Sequence, residues 1–208
     1  MTRLSRISFF LLWAAWILGP QNGYSQFTQQ LGPNYYLVGL NSNAFDVMST
    51  TAYQHQNNWC WAACVEQALA YCGVQVSQEQ VVERCFGDLY DLPGGPAEMF
   101  AALNGWAPNT RGGYSYIRTN NYPITGTDLY NMLTRNWPLI ACLNQAGSNI
   151  GHAYVLTGMY YHYTNWGGIF VDRVVLRNPW PENGSNRTEM SIREFQYRVN
   201  TVYRVWVE

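Results

Sequence analysis

Gln54-His55-Gln56-Asn57-Asn58-Trp59-Cys60-Trp61-Ala62-Ala63-Cys64 is the stretch from which the fold of this chain is read. Trp61, Val65, Ala68 and Cys72 recur at three- and four-residue intervals, with Ala62 and Leu69 beside them and Gly73 following as a natural C-cap. That pattern predicts a helix from Trp59 or Cys60 to Cys72. Cys60 then stands at a helix start, where unpaired backbone N–H groups and the helix dipole favour negative charge. The thiolate is the nucleophilic form of cysteine, so this placement lowers the cost of making it. The alternative is one more small apolar core residue, because free cysteine is commonly buried. Gln54, six residues upstream, is able to fold back beside Cys60 and join its backbone N–H in holding an oxyanion. Gln56 has a shorter reach to the same place, and a solvated polar loop is the plain reading of both.

Upstream, Arg3 and Arg6 precede an apolar run from Ile7 to Leu18, and Gly23 and Ser25 frame Tyr24. This order predicts a signal peptide, residues 1–25, cut after Ser25. The run is short of the roughly 20 apolar residues that span a bilayer. No later segment is apolar enough to span, so a soluble protein, secreted or periplasmic and off the membrane after cleavage, is expected. Residues 26–52 are Asn/Ser/Gly-rich with little periodicity and read as a surface strap or partly mobile arm. Residues 53–208 are expected to form one domain with a sizeable core.

Downstream, Ser77 with Gln80 makes a capping box ahead of a second helix, and Pro96 opens a third that Gly105 stops. Thr127 is placed as the cap of a fourth, which carries Leu129, Tyr130, Met132 and Leu133. After Pro138 the runs LIACL, HAYVLTGMYY, IFVDRVVLR and TVYRVWV are β-branched and aromatic, which predicts strands. A short helix is expected between Met190 and Tyr197. Helices first and an antiparallel sheet afterwards predict an α+β chain.

His152 stands at the mouth of the second of these strands, behind a Gly-containing loop. His55 lies in the loop of Cys60 itself, and His162 lies near the far end of the same strand as His152, so position favours His152 as a base. A structural strand histidine is the alternative, since neutral imidazole is readily satisfied by backbone groups. Asn178 ends the next strand, where its amide is able to accept from the imidazole and fix the tautomer. Asn before Pro is also an ordinary turn signal. Trp180 is placed to shield such a bond from water.

Composition narrows the chemistry. All 12 basic residues are Arg, against 13 acidic residues, and loss of Arg3 and Arg6 leaves ten basic residues against those thirteen. This balance does not suggest nucleic acid as a partner. Without Lys there is no Schiff-base chemistry and no Ser/Lys dyad. With three His and no Cys-x-x-Cys, the 5 cysteines resemble no zinc site, and no metal or organic cofactor is implied. In an exported chain an odd cysteine count leaves at least one thiol unpaired, with Cys72 and Cys85 the preferred bridge among Cys64, Cys72, Cys85 and Cys142. Asn183 and Asn186 open glycosylation sequons, which imply an exposed loop. The 9 Trp and 16 Tyr fit aromatic subsites or a sugar-binding face, or more simply an aromatic core and rim.

The order Gln, then Trp-Cys-Trp-Ala-Ala on a helix, then Gly-His on a strand, then a carboxamide before Pro resembles the papain-like cysteine peptidases. Within them it is closest to the compact bacterial branch related to double-glycine leader peptidases and secreted papain-like effectors. The resemblance runs from Tyr53 to the end. It implies a papain-like fold, with an N-terminal helical subdomain, a following antiparallel β-sheet subdomain and the active-site cleft between them. It implies Cys60 as nucleophile, His152 as base, Asn178 as orienter and Gln54 in the oxyanion hole. The implied reaction is hydrolysis of a peptide or protein substrate through a thioester. In the bacterial branch the orienting residue is more often Asp, so Asn178 is the papain-type choice on a bacterial-type frame. The same fold also serves transglutaminases, deamidases and cell-wall peptide amidases, and a non-catalytic secreted binding module is the other alternative.

Overall fold

The computed structural model describes residues 24–144, 151–180 and 186–208. The expected signal peptide therefore lies outside the described residues except for Tyr24 and Ser25, and so does Asn183. In the described chain the elements run β1 (Phe27–Gly32), β2 (Tyr35–Gly39), α1 (Ser42–Thr51), α2 (Cys60–Tyr71), α3 (Gln78–Phe86) and α4 (Pro96–Ala102). They continue as β3 (Gly105–Pro108), β4 (Tyr114–Asn120), α5 (Gly126–Thr134), β5 (Leu139–Asn144), β6 (Gly151–Tyr163), β7 (Ile169–Arg177), β8 (Arg187–Ser191), α6 (Ile192–Arg198) and β9 (Val199–Val207). The class is α+β, with a nine-stranded antiparallel sheet.

Strand order is β1-β2-β6-β5-β9-β4-β3, with β7 and β8 branching from β6. This branching is possible because β6 is 13 residues long. Its first half pairs with β5, its second half pairs with β2, and β7 runs beside most of its length. The start of β6 and the end of β7 thus fall at the same edge of the sheet, which is where His152 and Asn178 are carried.

The central helix is α2. The spacing of its apolar residues suggested one buried stripe, but Trp61, Ala62, Ala63, Cys64, Val65, Gln67, Ala68, Leu69 and Tyr71 are all buried, so nearly every face is covered. It ends in a Schellman motif: the Val74 N–H bonds to Leu69 O and the Gly73 N–H to Ala70 O, with Gly73 at φ 78. Val65 and Leu69 of α2 share one continuous buried cluster with Val155 of β6 and Leu139 of β5. Burial of each such side chain contributes about 1.5–3 kcal/mol. A few of them suffice to seat α2 on the sheet, and with it the position of Cys60.

Four expectations are corrected. Residues 26–52 are no loose strap: they form the β1–β2 hairpin, which adds to β6, and helix α1. Phe45 of α1 is fully buried, and the buried Arg177 at the end of β7 bonds to Asp46 and, at 2.7 Å, to Ser42 Oγ. Alternation is weak in this segment because its core contacts come from few residues. The cap of α5 is Thr125, which accepts from the Asp128 N–H while Asp128 bonds back to the Thr125 N–H. Met190 belongs to β8, and the following helix starts only at Ile192. Asn186 is 3 % exposed, because its side chain is occupied by Arg177 and by Phe45 O, so it presents no sequon to solvent. The capping box of Ser77 and Gln80 is formed at the start of α3, as the spacing predicts.

Candidate active site

Cys60 opens α2, and the N-cap residue Trp59 gives no side-chain cap. The first turn is held from outside instead, by the segment 90–92. Asn58 N–H donates to Asp91 Oδ1 at 2.8 Å, Trp59 Nε1 to Tyr90 O at 2.8 Å and Trp61 Nε1 to Leu92 O at 3.2 Å. Gly94 lies so close over the Trp61 ring that a Cβ there would sit 2.3 Å from it. The backbone N–H groups of Ala153 on β6 and of Trp61 and Cys60 all favour negative charge on the Cys60 sulfur. Since Ala153 follows His152 in the chain, the thiol lies against the strand that carries the imidazole.

The His152 Nε2–H donates to Asn178 Oδ1 at 2.8 Å. The Trp180 backbone N–H donates to the same oxygen at 3.0 Å. A backbone donor fixes that atom as oxygen rather than nitrogen, so His152 presents its N–H at Nε2 and keeps a basic Nδ1. Asn178 is therefore both the turn residue and the partner of the imidazole: the Asn-Pro-Trp turn clamps the amide that orients the ring. Trp180 acts here through its backbone, and its residue is 47 % exposed. The Tyr154 ring meets the His152 ring edge-on, with centroids 4.8 Å apart.

Burial dominates the titration of both groups. It pushes the Cys60 thiol above its usual range, and the three N–H groups around the sulfur pull it back only in part. Burial also lowers His152; the bond to Asn178 opposes this, while the Arg198 guanidinium adds to it. Both directions favour the neutral thiol and the neutral imidazole over the ion pair. The first-turn N–H groups favour the thiolate, as the helix start predicts, but desolvation outweighs them.

Gln54 is 3 % exposed and lies in the loop before Cys60. Its backbone N–H donates to Pro179 O at 2.8 Å, which ties the loop to the turn after Asn178. Its side-chain amide donates to Gln56 O at 2.6 Å and to Asn57 O at 2.7 Å. Both amide hydrogens are therefore engaged in the substrate-free site, so Gln54 holds no donor free at rest. Gln56 is exposed. His55 is paired with Glu79 at 2.7 Å, and His162 lies beside Asp172 at 3.4 Å, stacked on Phe170 at the other end of β6.

The expected Cys72–Cys85 bridge is not formed, and all five cysteines are free thiols. Cys72 is buried at the end of α2, whereas Cys85 donates to Glu98 O at 3.4 Å on the far side of α3. Cys72 and Cys142 are each pushed up to about 12 by burial, and Cys64 is fully enclosed. Cys60 keeps partial exposure at an open helix end. The residues that hold its loop, Gln67, Gln78 and the 90–92 segment, carried no signal in the sequence beyond ordinary polar and turn chemistry.

A mostly buried thiol at a helix start, beside the strand that carries a histidine held by a carboxamide, fits a cysteine peptidase. In agreement, the Peptidase_C39 like family matches residues 48–206, and the chain belongs to that family of papain-like cysteine peptidases. No curated protein matches the chain.

Proposed function

We propose that this protein is an exported peptidase that hydrolyses peptide bonds with Cys60 as nucleophile, His152 as base and Asn178 as orienter. The observation that carries this reading is the His152–Asn178 bond, formed on the strand whose next backbone N–H, that of Ala153, favours negative charge on the Cys60 sulfur. Substrate lies in a cleft between the start of α2 and the start of β6, the junction of a helical and a sheet subdomain. Because burial favours the neutral form of both groups, His152 Nδ1 takes the Cys60 proton as sulfur attacks the amide carbonyl. The imidazolium so formed is stabilised through its Nε2–H by Asn178 Oδ1. It then gives the proton to the leaving amine. Water, activated by the same imidazole, releases the acid from the thioester and regenerates the thiol.

The oxyanion of each tetrahedral intermediate is held by the Cys60 backbone N–H and by Gln54. An anionic acceptor draws a stronger hydrogen bond than a neutral carbonyl, so one Gln54 N–H exchanges Gln56 O or Asn57 O for the oxyanion as charge develops. Residues 1–25 act as the export signal and 53–208 as the catalytic domain, with a peptide or protein as substrate.

The test is hydrolysis of a peptide amide library by the purified protein, with intact-mass detection of acyl-enzyme. New peptide termini and a thioester mapped to Cys60 are expected, and Cys60→Ala and His152→Ala should remove nearly all turnover. Turnover retained in Cys60→Ala would refute the assignment, and release of ammonia without new termini would make the protein a deamidase.

A further inference from the structure

The segment from Ala52 to Gln56 has no regular secondary structure, yet it holds Gln54 so that its amide binds the carbonyls of Gln56 and Asn57, just ahead of α2. What holds it is a set of buried side-chain amides. Gln67 of α2, fully buried, donates to Ala52 O at 2.8 Å. Gln78, the first residue of α3 and also 0 % exposed, binds the segment on both sides of Gln54. Its Oε1 accepts from the His55 N–H at 3.1 Å, and its Nε2 donates to Tyr53 O at 2.9 Å. The second hydrogen of that Nε2 goes to Glu66 Oε2 on α2, at 2.8 Å. A single side-chain amide thus takes the part a neighbouring strand would play, pairing with the C=O before Gln54 and the N–H after it. Through Glu66 the pairing is referred to α2, the helix that carries Cys60.

We propose that Gln78 is a positioning residue for the oxyanion site: by pairing with Tyr53 O, the His55 N–H and Glu66, it fixes the height of Gln54 relative to the Cys60 N–H. This rests on the reading of Gln54 and Cys60 given above. Two donors converge on one oxyanion only if the distance between them is set, and a small misplacement of either weakens the bond made in the transition state. Gln78 acts on that distance alone. It does not touch the sulfur or the imidazole.

Gln78→Met keeps the length of the side chain and removes both pairings, whereas Gln78→Asn keeps the amide on a stem too short to reach. Three quantities are measured for each variant: kcat and KM on a peptide amide, and the rate at which iodoacetamide alkylates Cys60. Alkylation is displacement at a saturated carbon and forms no oxyanion. The expected result is a fall in kcat of about ten- to a hundredfold, up to the loss from removing one oxyanion donor, with KM and alkylation rate unchanged. In the double variant Gln54→Ala/Gln78→Met, turnover should match Gln54→Ala alone to within about twofold, because the two residues act through one bond. If Gln78→Met does not fold, Gln78→Asn with Gln54→Ala gives the same cycle.

Wild-type kcat in the Gln78 variants, losses that multiply in the double variant, or alkylation that falls in step with kcat would each overturn the inference. If Cys60→Ala is inactive and Gln54→Ala slow while the Gln78 variants are normal, only the positioning role of Gln78 falls. Turnover retained in Cys60→Ala, or undiminished in Gln54→Ala, would remove the site reading and this inference with it.

Discussion

Replacing Asn178 by Ala and by Asp separates orientation of the imidazole from its electrostatics. Asn178 Oδ1 accepts the His152 Nε2–H at 2.8 Å. In the proposed mechanism that bond joins neutral groups at rest, and once His152 takes the thiol proton the donor is cationic. A hydrogen bond to a charged group contributes about 1.5–3 kcal/mol, and each 1.36 kcal/mol is tenfold in rate. Asn178→Ala should therefore lower kcat by roughly 10- to 150-fold, with little change in KM. The pH profile should move as well. The bond to Asn178 holds the His152 pKa up against burial, so its loss lowers that pKa further. Since the base must be neutral, the acid limb of kcat/KM should shift to lower pH in Asn178→Ala. Asn178→Asp puts a carboxylate beside the ring, raises the pKa and should shift the same limb to higher pH while retaining activity. The assay is a set of pH–rate profiles on one fluorogenic peptide amide for the three proteins. An acid limb that stayed fixed in all of them would refute the pairing of Asn178 with the catalytic base.

The alkylation rate of Cys60 by iodoacetamide should keep rising into the alkaline range, because burial holds the thiol above its usual pKa; a plateau reached in the acid range would show a preformed thiolate instead. His162→Ala should leave turnover near wild type, since that ring lies ten residues along β6 from His152 and packs on Phe170. Arg177→Ala should destabilise the fold by about 1–3 kcal/mol in chemical denaturation, as it leaves the buried Asn186 Oδ1 without that donor and removes the link from α1 to the end of β7. A loss under about 1 kcal/mol would show that α1 is held by its apolar contacts alone.

The parts of the site that follow chain order were legible in the sequence. Cys60 at a helix start, His152 at a strand mouth and Asn178 at a strand end each rest on local periodicity or turn chemistry, and the sheet brings the last two together by simple antiparallel pairing. What was not legible depends on burial and on distant partners. The helix start at Cys60 does favour the thiolate, but the larger opposing effect of desolvation is set by residues far away in sequence. Gln54 is a free donor on paper only because nothing local shows that the carbonyls of Gln56 and Asn57 occupy it. The β1–β2 hairpin was missed because β1 is mostly exposed and polar, so its pairing with β2 leaves no alternation to read. At α5 two threonines compete, and Thr125 prevails because its box closes with Asp128 rather than with the more usual Glu or Gln.

β9, the last strand in chain order, lies inside the sheet between β5 and β4. During synthesis the groove left for it stays open until residues 199–207 have been made, so β5, which supports the start of β6, lacks one neighbour until then. Contacts of such long sequence separation form slowly. The His152 edge of the sheet is thus among the last regions to become rigid. On the proposed mechanism, a half-made chain therefore carries Cys60 before it has a firmly placed His152.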